Sequence, residues 1–269
     1  MLLFCYFLHP YPNLSYICRK KNFLKSIISY PLTIIFYIAF GFTLLLFHVI
    51  QMIAYHLFGY QGHHNSVKAM NWTLMQCTKI LGTSYSFSGK EKIPKNVPIV
   101  FVSNHQSMYD ISPIEWYLES FHPKFISKKE LGKGIPSVSY NLQKGGSILI
   151  DRKNAKESLV RIKALAQYIK KNNYAAVIFP EGTRSKDGIP KPFKESGLKI
   201  LTKYANNGYI VPITLNNSWK MQQRNFPMNL GVSITLDCHE PIVISGTDFD
   251  ELLNQTESVI KSKIIHPKN

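Results

Sequence analysis

His105 and Asp110 stand five positions apart in the stretch Asn104-His105-Gln106-Ser107-Met108-Tyr109-Asp110. A carboxylate bonded to one ring nitrogen of an imidazole fixes its tautomer and leaves the other nitrogen to accept a proton. The pair is therefore read as a candidate general base with its orienting partner. Other readings of the same residues stay open at this point. Ser103 or Ser107 beside His105 is a candidate nucleophile, although neither lies in a Gly-x-Ser-x-Gly turn. A capped loop with a hydrogen-bonded histidine needs no chemistry at all. A metal site through His105 and Asp110 lacks a third ligand at usable spacing, and His63-His64 read as polar residues of a loop.

These residues need an element to hold them. Ile99-Val100-Phe101-Val102, bounded by Pro98, is a short apolar, β-branched run that reads as a buried strand. It delivers His105 at its carboxyl end, the edge of an open α/β sheet where ligands collect. Ser112 and Pro113 then suit the N-cap and first position of a helix running to Glu119. Three more polar stretches follow expected strands: Lys128-Lys129, Asp151-Arg152 after Ser147–Ile150, and Glu181-Gly182-Thr183-Arg184 after Phe179. Guanidinium forks grip a phosphate bidentately, and a glycine lets backbone approach a ligand. Arginines and lysines converging on a His–Asp pair describe a pocket for a phosphate monoester.

The rest of the chain is a long membrane-seeking segment followed by alternating strands and helices. From Ser26 to Val67 no Asp, Glu, Lys or Arg occurs, and Leu32 to Phe58 is nearly all aliphatic or aromatic. About twenty helical residues cover the ~30 Å of a bilayer core, so the run is long enough to cross or to lie within one leaflet. Basic residues flank both ends, Arg19 to Lys25 before and Lys68 and Lys79 after. Positive charge on both flanks favours a one-sided anchor with both ends in the cytoplasm. Val67, Met70, Leu74, Cys77 and Ile80 fall near one face of a further helix, read as lying at the membrane interface. Met1–Leu8 lacks a basic start and a small-residue cleavage site, and is not read as a signal peptide.

The net charge of +16 calls for an anionic partner: phospholipid headgroups, nucleic acid or a phosphorylated substrate. The four cysteines are scattered and form no CxxC pair, which suits a reducing compartment. Beyond Gly82, short strands at Tyr85–Phe87, Ile99–Val102, Phe125–Ser127, Ser147–Ile150, Ala175–Phe179, Ile210–Leu215, Val232–Leu236 and Ile242–Val243 alternate with helices at 155–171, 196–205 and 249–263. The fold class is α/β: a mixed, largely parallel sheet flanked by helices, with an N-terminal helical membrane anchor. Residues 1–82 form the anchor and 83–269 the catalytic domain.

NHQSMYD, GSILIDR, FPEGTRS and IVPITL stand in the order and spacing of the four motifs of the glycerolipid acyltransferases. From about Leu81 to Ile242 the chain resembles the bacterial membrane-bound 1-acyl-glycerol-3-phosphate (lysophosphatidic acid) acyltransferases. The segment Lys191–Gly197 departs from the family's usual form by one inserted residue. The resemblance implies transfer of a fatty acyl group from an acyl carrier protein or coenzyme A thioester to the sn-2 hydroxyl of lysophosphatidic acid, giving phosphatidic acid. It implies direct attack with no acyl-enzyme and His105 and Asp110 as the catalytic pair. Arg152, Glu181, Gly182 and Arg184 would hold the glycerol phosphate, with Lys128 helping to neutralise it. No metal, cofactor or nucleic acid is expected, and the expected location is the cytoplasmic face of a bacterial inner membrane. The alternatives are a sister enzyme acting on another lyso-lipid or glycerol 3-phosphate, and a non-catalytic basic lipid-binding module.

Overall fold

The computed structural model describes residues 12–224 and 226–265, with side chains from Leu24 onward. The reading of Met1–Leu8 lies outside the described residues. A long helical segment, α1 (Pro12–Thr78), opens the chain and is broken at Gly59, whose backbone (φ 60°, ψ −147°) is not helical. That conformation is open to glycine and to almost nothing else. The chain folds back there, so α1 is a hairpin of two antiparallel arms. Thr43 Oγ1 meets Cys77 Sγ at 3.5 Å, Gln51 Nε2 donates to Met70 Sδ at 3.1 Å, and Phe47 packs with Met70 and Leu74. A hairpin brings its two ends to the same side.

The first arm turns a wide apolar face to the outside. On that face the large hydrophobic residues, from Leu24 to Phe58, are 37–71% exposed, while Phe36 and Phe47 on the other side are buried; this is far more apolar surface than a soluble protein leaves bare. By length and composition, this is the one helix among the described residues able to cross a membrane. The second arm behaves differently from its sequence reading. Val67, Met70, Leu74 and Cys77 are buried against protein, so the face assigned to a membrane interface is a packing face. His63 and His64 lie in helix rather than in a loop, and His63 is wholly buried. The apolar stripe is the same in both cases; the partner differs.

After α1 come β1 (Ser84–Ser88), β2 (Ile99–Ser103), α2 (Ile111–Tyr117), β3 (Pro123–Lys128), α3 (Val138–Lys144), β4 (Ile148–Ile150) and α4 (Ala155–Asn172). They are followed by β5 (Ala175–Ile178), α5 (Glu195–Tyr204), β6 (Tyr209–Asn216), β7 (Ser233–Cys238), β8 (Ile242–Val243) and α6 (Phe249–Ser262). One sheet runs β1-β7-β6-β2-β5-β3-β4, with β8 pairing on β6. Only the pairings of β6 with β7 and with β8 are antiparallel. Helix α3 carries no strong helical signal in the sequence and is held by packing on α1.

β2 lies between β5 and β6 with all five residues buried, which is why it reads as an unbroken apolar run rather than an alternating one. Its side chains still divide by parity. Val100 and Val102 face a core shared with α4, α5 and α6, while Ile99 and Phe101 face one with Ile114 and Leu118. A third apolar cluster joins hairpin to sheet: Phe36, Cys77 and Leu81 pack with Tyr109, Met221, Met228, Val232 and Ile234. The hairpin thus shares a core with the domain that carries His105.

Candidate active site

β2 ends at Ser103, and the residues that follow it turn away under tight control. Asn104 donates to Leu215 O at 2.8 Å and accepts from Leu215 N at 2.7 Å, tying the turn to the end of β6. His105 comes next. Its Nδ1 donates to Asp110 Oδ2 at 2.9 Å, and its ring stacks on Phe179 at 4.1 Å between centroids. The same Asp110 Oδ2 accepts the backbone N–H of Gln106 at 2.7 Å and of Ser107 at 2.8 Å, and Oδ1 accepts Ser218 Oγ at 2.5 Å. Asp110 is wholly buried, while the His105 side chain keeps 17% of its surface exposed. Four donors satisfy both oxygens of this buried carboxylate and hold the ring with one nitrogen outward. His105 Nε2 makes no bond to a described residue.

The local order of residues builds this geometry. Ser107 and Asp110 form a capping box, with the Ser107 side chain accepting from Tyr109 N at 3.3 Å. A single 3₁₀ turn, Met108–Asp110, then leads into α2. The helix therefore starts earlier than the Ser112–Pro113 signal indicates, and those two residues lie inside its first turn. The serine and aspartate flanking Met-Tyr cap better than a serine before proline, because two orphan amides find partners at once.

The other sequence-derived residues gather at the same sheet edge. Phe179 follows β5, the neighbour of β2, and begins the turn through Glu181, Gly182 and Arg184. Arg152 follows β4 and donates through Nη1 to Gly182 O, joining two of the expected stretches. Lys128 ends β3 and is exposed, as is Arg184. Gly182 has φ 68°, which is why glycine is needed for the turn; the nearest side-chain atom to a Cβ there would be Lys194 Nζ at 3.2 Å, the movable end of a flexible stem. Lys194 is a cation of this pocket that the sequence analysis did not single out.

Glu181 is placed differently from its expected role at a substrate phosphate. It is buried, and its two oxygens accept the backbone N–H of His105 at 2.7 Å and of Lys191 at 2.9 Å. Burial raises its pKa above the usual carboxylate value, and those two amide bonds pull the other way. Its work is to brace the histidine turn against the third motif. A carboxylate facing a phosphate would repel it in any case. Among the described residues, no group of three or more His, Cys, Asp or Glu is arranged to hold a metal ion.

A half-buried histidine on a buried aspartate lies at the carboxyl edge of a largely parallel α/β sheet, with arginine and lysine side chains along the same edge, an arrangement able to take a proton from a substrate carrying negative charge. Residues 84–216 match the family model for acyltransferases. It is 41% identical over 126 residues to a 1-acyl-sn-glycerol-3-phosphate acyltransferase of Helicobacter pylori, covering 45% of this chain and 50% of that protein. It is 32% identical over 178 residues to the chloroplastic enzyme of that name from Arabidopsis thaliana, covering 65% and 48%. The chain thus spans about half the length of these curated relatives; against the enzyme of that name from Borreliella burgdorferi it spans 75%, at 28% identity over 70% of this chain. The crystal structure of the 1-acyl-sn-glycerophosphate (LPA) acyltransferase from Thermotoga maritima has the same fold. Its TM-score is 0.70 at 24% identity, covering 88% of this chain and 95% of that one.

Proposed function

We propose that this protein transfers a fatty acyl group from a thioester donor to the sn-2 hydroxyl of 1-acyl-glycerol-3-phosphate, forming phosphatidic acid for phospholipid synthesis. The observation that carries the reading is the 2.9 Å contact between His105 Nδ1 and Asp110 Oδ2, which leaves Nε2 as the base. His105 Nε2 takes the hydroxyl proton as the oxygen attacks the thioester carbonyl. The new C–O bond forms, the C–S bond breaks, and the departing thiolate recovers the proton from the imidazolium. A thiol of pKa ~8.5 leaves readily, so the site needs no strong acid on the donor side. No acyl-enzyme intervenes. Arg152, Arg184 and Lys128 hold the phosphate of the acceptor, and Gly182 lets backbone come close to it.

The exposed apolar arm of α1 lies in one leaflet, on the cytoplasmic face of a bacterial inner membrane, and the hairpin keeps both of its ends on that face. The core that the hairpin shares with Tyr109, next to Asp110 in the chain, supports a source of acceptor close to the dyad. The test is to incubate membranes containing the protein with acyl carrier protein or coenzyme A thioesters and a panel of labelled acceptors. Phosphatidic acid forming from lysophosphatidic acid is the expected product, and the panel also shows which donor is used. Faster acylation of glycerol 3-phosphate or of a phosphate-free lyso-lipid would replace the proposed acceptor.

A further inference from the structure

Asp110 uses its two oxygens unequally. Oδ2 serves the ring of His105 and two backbone amides, whereas the donor to Oδ1 among the described residues is the hydroxyl of Ser218. Ser218 lies 108 positions further along the chain and is wholly buried. It opens the 3₁₀ turn Ser218–Gln222, directly after β6 and Asn217. Its position is fixed from several sides. Asn217 adopts φ 70° and donates through Nδ2 to Ser233 O at 2.9 Å, and Lys220 N closes the turn on Asn217 O. Trp219 roofs Gly188, where an added Cβ would come within 2.3 Å of Trp219 Nε1. The Asn104–Leu215 pair of hydrogen bonds ties the histidine turn to the same strand end.

The hydroxyl has a single proton and two acceptors within reach, Asp110 Oδ1 at 2.5 Å and Gln106 Oε1 at 3.4 Å. The shorter contact falls in the range of a charge-assisted O–H···O⁻ bond and takes the proton. We infer that Ser218 is a positioning residue for the dyad: by donating to Asp110 Oδ1, its hydroxyl sets the basicity of His105. This rests on the reading of His105 as general base. A donor on the far oxygen draws negative charge away from the oxygen that faces the ring. The imidazolium is then less favoured than it would be without the hydroxyl, while the other carboxylate at the histidine, Glu181, spends its oxygens on the backbone N–H of His105 and of Lys191. Without the hydroxyl, Oδ1 is left buried with no donor, the full charge bears on the ring, and the base stays protonated to higher pH.

The experiment compares pH profiles of kcat/KM for the full-length protein and for Ser218→Ala, Ser218→Cys and Ser218→Thr, each assayed well below its melting temperature. In Ser218→Ala the acid limb moves up by roughly half a pH unit or more. Its kcat at neutral pH falls about tenfold, with the acceptor KM unchanged. Threonine keeps the hydroxyl and returns the limb to the wild-type position. Cysteine, close in size but a weak donor, gives a limb between serine and alanine, and serves if the threonine methyl is not accommodated. A Ser218→Ala limb that coincides with wild type, or lies below it, overturns the inference, as does a shift that neither threonine nor cysteine lessens. Those outcomes leave His105 as the base. Full activity in His105→Ala would instead remove the reading beneath it.

Discussion

Replacing Asp110 with Asn keeps the shape of the side chain and removes its charge. The backbone amides of Gln106 and Ser107 and the ring of His105 all donate to one oxygen, so the new amide nitrogen is forced toward Ser218. The imidazolium that forms during proton transfer then has no anion behind it. Asp110→Asn is expected to lower kcat by at least about 10²-fold with the fold retained, checked by steady-state assay beside a melting curve. On the proposed function, Arg152 and Arg184 act on binding. Replacing either with Ala should weaken the acceptor by one to two decades, since losing a charged hydrogen-bonding partner costs roughly 1.5–3 kcal/mol. The control is an acceptor without phosphate, for which the mutants should lose little. An equal loss on that acceptor would show that the arginines serve another purpose. The dyad could be read from sequence because its two members and their cap lie within seven residues. Ser218 could not, because contact through a shared strand end leaves no trace in chain order. Glu181 carries the right charge to be singled out, and only its burial between two amides reveals the bracing role.

At the scale of elements, the hairpin depends on Gly59. A Cβ there meets nothing within 4 Å, so any cost of Gly59→Ala comes from the backbone conformation alone, about 1–3 kcal/mol. Chemical denaturation of the two proteins measures it, and equal midpoints would mean that the turn is not held in this conformation. Past the turn, the hairpin docks on the sheet through polar contacts. Tyr60 Oη lies 2.8 Å from His122 Nδ1 and accepts from Lys124 Nζ at 2.8 Å, and Lys68 pairs with Glu119 at 3.2 Å. Burial, and then Lys124, lower the pKa of His122. The unfolded chain therefore binds more protons here below about pH 6.5, the ordinary histidine value, so stability from this group is present above that pH and lost as pH falls. His122→Asn keeps a residue that tolerates the positive φ at this position (49°) and removes the titration. Its melting temperature should fall less steeply than wild type from pH 7 toward pH 5, and identical slopes would contradict the assignment. Most strand and helix limits were legible to within a residue or two, because buried strands and amphipathic helices announce themselves by period. The second arm of α1 was legible as a helix with one apolar face, but not as to what covers that face. Apolar residues look alike whether they meet lipid or protein.

For the whole molecule, the exposed arm of α1 and the shared core with Tyr109 act together. Burying the arm's side chains in hydrocarbon contributes about 0.8 kcal/mol per CH₂, against about 1 kcal/mol for each basic residue at an anionic surface. High salt or carbonate should leave the protein on membranes, and detergent should release it. Release by salt alone would mean that charge, not apolar burial, holds it there. Composition alone divides the chain at residue 82 and invites removal of the anchor. The packing of Phe36 against Tyr109, with ring centroids 5.8 Å apart, argues otherwise. Deleting residues 1–61 uncovers Tyr109 and Met228 beside the dyad, so the truncated domain should melt lower and turn over more slowly even on a dispersed acceptor. Sequence gives no warning of this, because the contact joins segments far apart in the chain.

The central claim is that His105, held by Asp110 at the end of β2, is the base for acyl transfer to a phosphate-bearing acceptor. The most direct measurement is phosphatidic acid formation from acyl thioester and labelled lysophosphatidic acid by full-length His105→Ala in vesicles, beside wild type, with melting curves for both. The account predicts a folded protein whose turnover falls by at least about 10²-fold. Near-wild-type turnover by folded His105→Ala would contradict it.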